Sequence, residues 1–404
     1  MRFLLIHQNF PGQFRQLAPY LQRKGHELVG ICSHQRSSDA GFRILRYEEP
    51  KLSKGRGTSK DLADEVFERA PAVAQLCAQL AAEGWRPDCI AAHTGWGETL
   101  AIREVWPDVP QVLWPELWVR PLHGGSGVDP ILPPPTLHQK LEQLGRNTFT
   151  RAALTQAQAW VLPTRHQANS FPAEFQDERM HVVHEGINTT LACPNPKVTY
   201  EVRGVPISRD VPTITFVNRN LERLRGFDLF MRALPAVMAS NSSVRVLIVG
   251  DDERGYGAAH PSGRPLRSVM LEELSGQLDL SRIHFLGRIP HPHLIGILQA
   301  SWVHVYLSYP FVMGWSLLEA MACGCSIVGS QGDPVQEAIR DGVEGLLVPM
   351  DKPNLLAEKI LFLLDDPQVR NRFSMAARQR ALDWDQSRTL PRLESLLQEI
   401  ASKA

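Results

Sequence analysis

The first 33 residues, MRFLLIHQNFPGQFRQLAPYLQRKGHELVGICS from Met1 to Ser33, contain one complete strand–helix–strand unit. Residues 2–7 form an apolar run typical of a strand, and residues 8–13 form a loop with Pro11 and Gly12. Residues 14–24 have the spacing of an amphipathic helix that Gly25 ends, and residues 27–33 predict the next strand. Because a helix commonly joins two parallel strands, this opening predicts a parallel sheet covered by helices.

The same alternation continues along the chain in two series. In the first series, further strands are predicted at residues 89–92, 111–114, 159–162 and 180–183. In the second series, strands are predicted at residues 213–217, 244–249, 283–286, 303–306 and 326–328, with helices at residues 229–238 and 317–322. Residues 197–211 show little helical or strand period and predict a linker between the two series.

These patterns predict the fold class and the domain organisation. We expect an α/β protein of two facing Rossmann-like domains, residues 1–195 and 196–385, followed by a helix over residues 386–404 that packs back on the first domain. Open parallel sheets bind ligands beyond the carboxyl ends of their strands. We therefore expect the active-site cleft between the two domains.

Composition excludes several classes of function. The 404 residues carry 43 Lys and Arg against 43 Asp and Glu, so no global field attracts nucleic acid. The six cysteines are scattered without the spacing of a zinc site, and no run approaches the ~18 apolar residues of a membrane span. We expect a cytoplasmic protein without a metal or other cofactor. The locally basic segment from Lys51 to Lys60 predicts a plain mobile loop, and contact with an anionic acceptor or a peripheral contact with lipid headgroups is the alternative.

The segment Gly314-Trp315-Ser316-Leu317-Leu318-Glu319 is the strongest candidate for a binding site. A strand is predicted to end before it, and a helix is predicted to open near Trp315, where backbone N–H groups and the helix dipole favour a phosphate. Glu319 lies one turn into that helix among apolar residues, where a carboxylate needs hydrogen-bond partners. The two hydroxyls of a sugar diol could supply the hydrogen bonds that the Glu319 carboxylate needs. The alternative is that Glu319 is hydrogen-bonded within the protein and has a purely structural role.

Two arginines follow the first strand of the second series. Arg219 and Arg225 lie where a doubly wound sheet presents ligand groups, and they could clamp a diphosphate and stabilise its charge as it leaves. An arginine-rich loop that is merely solvated is the alternative.

The chain from Thr213 to Leu347 resembles retaining glycosyltransferase family 4, which has the two-domain GT-B architecture. Arg219 and Arg225 resemble the family's diphosphate-binding residues, and Leu286-Gly287 resembles the segment beside the nucleobase. Residues 314–324 resemble the family signature with Glu319 as its second glutamate, which holds the ribose. The first half resembles the family more loosely, with Gly12 in the loop whose backbone approaches the donor phosphates.

Two positions depart from the family pattern. The first glutamate of the signature, which contacts the donor sugar, falls on Phe311, so we expect Phe311 and Met313 to line the sugar pocket by different contacts. The family's catalytic-site histidine falls on Glu116, and the alternatives are His93 and Glu98 in His93-Thr94-Gly95-Trp96-Gly97-Glu98. A hydrogen-bonded loop histidine without a catalytic role is a further reading of His93.

The resemblance implies transfer of a sugar from a nucleoside-diphosphate sugar to an acceptor hydroxyl with retention of anomeric configuration and without a metal. The acceptor, whether glycan, lipid-linked, protein or small molecule, stays open. A sugar-nucleotide epimerase of the same fold is one alternative. A degenerate glycosyltransferase that acts as a binding or scaffold subunit is the other.

Overall fold

The computed structural model describes residues 1–35, 41–50 and 59–403. The chain divides into two compact units. Unit 1 contains residues 1–121, 135–186 and 386–404, and unit 2 contains residues 122–134 and 187–385. The sequence placed the boundary nine residues later, after residue 195. Most of the basic segment from Lys51 to Lys60, residues 51–58, lies outside the described residues.

Unit 1 is built on a seven-stranded parallel sheet with the order β5-β3-β1-β6-β7-β8-β9. Its strands are β1 (Arg2–Ile6), β3 (Glu27–Cys32), β5 (Arg43–Arg46), β6 (Cys89–His93), β7 (Gln111–Trp114), β8 (Ala159–Leu162) and β9 (Met180–Val182). Two short strands, β2 (Asn9–Phe10) and β4 (His34–Gln35), pair separately. The helices are α1 (Leu17–Arg23), α2 (Ser59–Ala82), α3 (Leu137–Gln156) and α4 (Arg165–Ser170).

Both faces of this sheet are buried, as the unbroken apolar run in β1 indicates. Leu4 and Ile6 pack into one hydrophobic cluster, whereas Phe3 and Leu5 pack into another. Successive side chains of a strand point to opposite faces, so each face has its own core. The predicted helix over residues 14–24 is divided, because a 3-10 turn at Gly12–Arg15 precedes α1.

Unit 2 has a six-stranded parallel sheet with the order β14-β13-β12-β15-β16-β17. The strands are β12 (Thr213–Asn220), β13 (Arg245–Asp251), β14 (Ile283–Gly287), β15 (Val303–Tyr306), β16 (Ser326–Ser330) and β17 (Gly345–Val348). The helices are α5 (Phe227–Ser240), α6 (Leu266–Glu273), α7 (His291–Ala300), α8 (Trp315–Ala322), α9 (Asp333–Gln336), α10 (Pro353–Asp365) and α11 (Pro367–Ala381). Both sheets are doubly wound, which confirms the predicted pair of Rossmann-like α/β domains.

The last helix, α12 (Gln386–Ser402), belongs to unit 1. Its residues Leu390, Leu393 and Leu397 are buried in the same cluster as Phe3 and Leu5. The helix therefore covers one face of the first sheet.

The prediction of an irregular linker over residues 197–211 is wrong. This stretch forms an antiparallel hairpin of β10 (Thr199–Val202) and β11 (Val205–Ser208). Arg203 and Gly204, the two turn residues, both have positive φ, at 52° and 77°. That is the backbone of a type I′ hairpin turn, in which an arginine at the first position is uncommon. The buried side chains of Val202 and Ile207 anchor the hairpin in the core of unit 2.

None of the helices in the described residues is both long and apolar enough to cross a membrane.

Candidate functional site

The loop after β15 leads directly into α8, as the sequence predicts. Gly314 is the residue before the first turn of α8, and its backbone N–H donates to the Tyr306 hydroxyl at 2.7 Å. Tyr306 ends β15 and is fully buried. Leu317 is buried in the core, whereas Trp315 and Ser316 are partly exposed at the helix start. The strand end thus holds the start of α8 by a hydrogen bond between Gly314 and Tyr306.

Glu319 is buried, and its carboxylate has a partner that the sequence did not indicate. The Nε2 atom of His291 lies 2.6 Å from Glu319 Oε1. His291 is the first residue of α7, 28 positions earlier in the chain. No local sequence pattern could have predicted the contact between His291 and Glu319. The sequence did offer one indication that His291 is close to the site, because it is a polar residue at a helix start soon after the Leu286-Gly287 segment.

Arg225 lies at the end of the 3-10 turn that follows β12, and its side chain is buried. Its Nη1 donates to Ser308 Oγ at 2.9 Å and to the Val312 carbonyl at 3.0 Å. The guanidinium carbon lies 5.0 Å from the centroid of the Phe311 ring. Arg225 therefore joins the carboxyl end of β12 to the loop between β15 and α8, which excludes a merely solvated surface arginine at this position.

Arg219 belongs to the last part of β12 and is exposed. Its Nη1 donates to the Tyr256 hydroxyl at 3.3 Å. Nearby, burial raises the pKa of Glu222, while the backbone N–H of Gly257 and the positive charges of Arg225 and Arg219 oppose that rise. Both guanidinium groups thus lie within electrostatic reach of one carboxylate.

The predicted sugar-pocket residues have different surroundings. Phe311 is partly exposed, and its ring centroid lies 5.1 Å from that of Tyr256. Met313 is buried in the hydrophobic core of unit 2. In this arrangement Phe311 is the more accessible of the two.

The Leu286-Gly287 segment ends β14. The Leu286 side chain is buried in the core, so only its backbone is available to a ligand. Gly287 has a φ of 58°, and a Cβ there would lie 2.9 Å from Arg203 Nη1. Arg203 Nη2 also donates to the Arg288 carbonyl at 3.0 Å, so the hairpin turn braces this strand end.

A buried ion-pair network that the sequence did not indicate adjoins the arginine turn. Arg223 pairs with Asp129 from the segment 122–134 and with Asp228 at the start of α5. Its Nη2 lies 2.8 Å from Asp129 Oδ1, and Asp129 is almost fully buried. Because Asp129 is far away in the sequence, its partner could not be inferred from local pattern.

In unit 1, two of the candidates for the catalytic-site residue, His93 and Glu116, lie close together. His93 ends β6 and Glu116 follows β7, and their Nε2 and Oε2 atoms are 3.6 Å apart. Glu116 has a φ of 61°, which is uncommon for a residue with a side chain, and its carbonyl accepts a hydrogen bond from Gln167 Nε2 at 2.8 Å. The sequence offered His93 and Glu116 as separate candidates, whereas in the structure both side chains belong to one site.

The pKa of His93 reflects this pairing. Burial alone would lower it, but the interaction with Glu116 and the negative charge of Glu98 raise it above the ordinary value. Burial raises the pKa of Glu98, whose side chain is inaccessible to solvent. The histidine thus retains its proton more readily than a solvated imidazole.

Gly12 lies beside the same cluster. Its φ is 48°, and a Cβ at this position would lie 2.2 Å from His7 Nε2. The His7 and His93 ring centroids are 4.9 Å apart. Only glycine fits this turn, so the first loop, His7 and His93 pack as one group.

Two protein families match the chain. Residues 24–192 match the Glycosyl transferase family 4 group, and residues 201–380 match the Glycosyl transferases group 1. The two matches fall on opposite sides of the start of the hairpin and together cover most of the chain.

Curated relatives are D-inositol 3-phosphate glycosyltransferases. The chain is 30% identical to the protein from Thermobispora bispora over 228 residues, which are 55% of this chain and 51% of that protein. It is 28% identical to the protein from Kribbella flavida over 323 residues, 76% of this chain and 72% of that protein. The chain therefore spans only about half the length of the first of these relatives.

Solved structures share the fold at low identity. Sucrose-phosphate synthase from Thermosynechococcus elongatus superimposes with a TM-score of 0.75 at 20% identity and covers 100% of both chains. Anabaena HepE in complex with UDP-glucose superimposes with a TM-score of 0.71 at 17% identity, covering 99% of this chain and 100% of that one. At these identities the similarities show the fold of this chain.

Proposed function

We propose that this chain, which belongs to glycosyltransferase family 4, transfers a sugar from a nucleoside-diphosphate sugar to an acceptor hydroxyl with retention of anomeric configuration. One observation carries the proposal. Arg225, from the end of β12, donates to Ser308 and Val312 in the loop that leads into α8, the helix with Glu319. Cationic groups, a helix start and a carboxylate therefore meet at the carboxyl ends of parallel strands, where such sheets bind nucleotides.

The diphosphate is the part of the donor that this arrangement fits best. When the bond between the sugar and the diphosphate breaks, negative charge grows on the departing oxygen. The guanidinium groups of Arg219 and Arg225 and the positive end of the α8 dipole stabilise that charge. We propose that these groups replace the divalent cation that other transferases use, so that no metal is needed.

The nucleoside is held one turn further along α8, at Glu319. Glu319 accepts hydrogen bonds from the ribose hydroxyls, while His291 keeps the carboxylate oriented at 2.6 Å. The backbone of Leu286-Gly287 serves the nucleobase, because its buried Leu286 side chain leaves only main-chain groups for recognition. HepE, which shares this fold and was solved in complex with UDP-glucose, supports a nucleotide-sugar donor of this kind.

For unit 1 we propose that the His93–Glu116 pair serves the acceptor. As the new glycosidic bond forms, the acceptor hydroxyl loses its proton to the departing diphosphate oxygen, on which negative charge has grown. A pair of a raised-pKa histidine and a carboxylate can orient that hydroxyl and balance charge during the transfer. Gly12 permits the close approach of the first loop to the same cluster.

The test is product analysis with the intact chain. We would incubate it with UDP-, GDP-, ADP- and TDP-sugars and a mixture of acceptors, then measure free nucleoside diphosphate and the anomeric configuration of the glycoside by NMR. One diphosphate released per glycoside of unchanged configuration supports the proposal. A change of the sugar nucleotide without any acceptor would instead identify an epimerase, and no turnover or binding of any donor would indicate a scaffold subunit.

A further inference from the structure

An exposed aromatic side chain lies against both arginine-containing elements of unit 2. Tyr256 is 57% exposed, yet its hydroxyl accepts a hydrogen bond from Arg219 Nη1 at 3.3 Å. Its ring lies 5.1 Å from the Phe311 ring with an interplanar angle of 40°. Phe311 in turn contacts the Arg225 guanidinium at 5.0 Å. Arg219, Tyr256, Phe311 and Arg225 thus form one continuous series of contacts, here called the aromatic bridge.

The position of Tyr256 is fixed by its neighbours although its ring faces solvent. The Glu222 carboxylate accepts a hydrogen bond from the Gly257 backbone N–H at 2.7 Å and a further one from the backbone of Tyr256. A Cβ at Gly255 would lie 2.2 Å from Glu222 Oε2, and a Cβ at Gly257 would lie 2.8 Å from Leu224 Cβ. Leu224 therefore closes the space beside Gly257, and the Glu222 carboxylate occupies the space beside Gly255.

The stability of the fold does not by itself explain why a large aromatic side chain is held in place while it faces solvent. Tyr256 contributes little to the core, because more than half of its surface stays in contact with water. An arginine whose guanidinium already donates to a hydroxyl held in place, as Arg219 does to Tyr256, loses less freedom when it binds an anion than an arginine that moves in solvent. The aromatic bridge therefore accounts for how an exposed arginine, Arg219, can be held in a defined place before a ligand arrives.

We propose that Tyr256 is a positioning residue of the donor site, and that the aromatic bridge sets the separation of the Arg219 and Arg225 guanidinium groups to suit a diphosphate. The inference rests on the proposed function, since it assigns the same site a nucleoside diphosphate as its ligand. It also gives Phe311 a role. Where a glutamate would add a negative charge beside Arg225, the phenyl ring leaves the charge of Arg225 available to the ligand while still orienting it.

The proposal predicts a selective loss of diphosphate recognition. We would titrate UDP, GDP, ADP and TDP, and the corresponding monophosphates, into the wild-type chain and into Tyr256→Phe, Tyr256→Leu and Phe311→Leu. We expect Tyr256→Phe to weaken the diphosphate about three- to ten-fold, the effect of one lost hydrogen bond, and to leave the monophosphate nearly unchanged. Tyr256→Leu and Phe311→Leu should weaken diphosphate binding more than Tyr256→Phe does, because each of them removes an aromatic ring of the bridge. Tyr200→Phe, which removes a hydroxyl from the hairpin of the same unit, should retain the wild-type preference.

A double-mutant cycle separates positioning from a general loss of structure. If Tyr256 acts through Arg219, then Tyr256→Phe should have almost no further effect on diphosphate affinity in the Arg219→Ala background. Additive effects, or equal losses for the mono- and diphosphates, would overturn the inference while leaving the proposed function intact. A wild-type chain that binds none of these nucleotides would overturn both.

Discussion

Arg225 is the residue whose surroundings bear most directly on chemistry. It is buried, it donates to Ser308 and to the Val312 carbonyl, and it lies over the Phe311 ring. These contacts fix the guanidinium before a ligand binds, as electrostatic stabilisation of a transition state requires. Arg219, in contrast, is exposed and has the Tyr256 hydroxyl as a neighbour.

We expect Arg225→Ala to lower kcat by about 100-fold or more and to raise the KM for the donor by less than about ten-fold, because charge on the diphosphate grows towards the transition state. Steady-state kinetics with the donor identified by product analysis measures both constants. Arg264→Ala, which removes an exposed arginine paired with Glu272, is the control and should change neither. A raised KM with an unchanged kcat in Arg225→Ala would argue for a role in binding alone.

The His93–Glu116 pair predicts a specific pH dependence. The raised pKa of His93 depends on Glu116, since burial acts in the opposite direction. We expect NMR titration to give His93 a pKa above its ordinary value of about 6.5 in the wild type and a lower pKa in Glu116→Gln. If protonated His93 serves the acceptor, the basic limb of the kcat profile should move to lower pH in the same variant.

The raised pKa of His93 also determines how this residue changes the stability of the folded chain with pH. A histidine with a raised folded-state pKa adds stability below about pH 6.5, and this contribution is lost as the pH rises through the folded-state pKa. An unchanged His93 pKa in Glu116→Gln would contradict the pairing.

Some residues of the candidate site could be predicted from the sequence, and others could not. Arg219, Arg225 and Glu319 follow strands or open helices, so local pattern and family resemblance both pointed to them. His291, Tyr256 and Asp129 were missed because their partners lie 28, 37 and 94 positions away, at contacts made only in the folded chain. The choice between His93 and Glu116 stayed open for the same reason, since two separate strands bring them together.

At the scale of elements, most strands of the two sheets were predictable, whereas β5, the buried strand β17 and the short paired strands were not. Runs such as residues 111–114 and 303–306 form strands at the predicted positions, because sheets buried on both faces need continuous apolar residues. The edge strand β5 has exposed arginines at both ends and shows no such pattern. The hairpin of β10 and β11 was read as a linker because Arg203 takes a turn position where glycine or asparagine is usual.

The segment 122–134 is held on unit 2 by a charged contact that can be tested. We expect Asp129→Asn to weaken the contact with Arg223 and to cost about 2 kcal/mol of local stability, although Arg223 retains Asp228. Limited proteolysis should then cleave within residues 122–134 faster than in the wild type. Asp108→Asn, which breaks an exposed ion pair with Arg86, should leave the cleavage rate at that segment unchanged. Unaltered cleavage in Asp129→Asn would show that other contacts hold the segment.

For the whole molecule, alternation of strands and helices in two series was enough to predict two Rossmann-like domains. It did not predict that residues 122–134 would join unit 2, because their Gly- and Pro-rich composition indicates a loop but not the unit on which the loop packs. The return of residues 386–404 to unit 1 depends on the apolar stripe of α12, in which Leu390, Leu393 and Leu397 are buried. Amphipathic spacing of this kind is readable in a sequence, whereas the surface it covers is not.

Two buried histidines predict how the protein responds to acid. Burial lowers the pKa of His184 in unit 1 to about 4 and that of His304 in unit 2 to about 3. Both stay neutral in the folded chain while an unfolded chain takes up protons below about pH 6.5, so stability falls as the pH falls from there towards 4. Each histidine contributes a slope of up to about 1.4 kcal/mol per pH unit.

Urea unfolding between pH 6 and pH 4 measures this slope. His304→Asn should flatten the slope for the transition of unit 2, whereas His138→Asn, at an exposed position, should not. An unaltered slope in His304→Asn would show that the histidine does not stay neutral in the folded chain.

Thermal unfolding of the intact chain with a panel of nucleoside-diphosphate sugars tests the central claim most directly. A ligand at about 100 times its Kd adds about 2.7 kcal/mol to the stability of the folded state, so we predict that one donor of the panel raises the Tm. Glu319→Ala should lose most of that rise at the same donor concentration, because hydrogen bonds to a carboxylate contribute about 1.5–3 kcal/mol each. Glu272→Ala, at an exposed position, should retain it. If no nucleotide sugar raises the Tm, or if Glu319→Ala responds like the wild type, the assignment of this site to a nucleotide-sugar donor is contradicted.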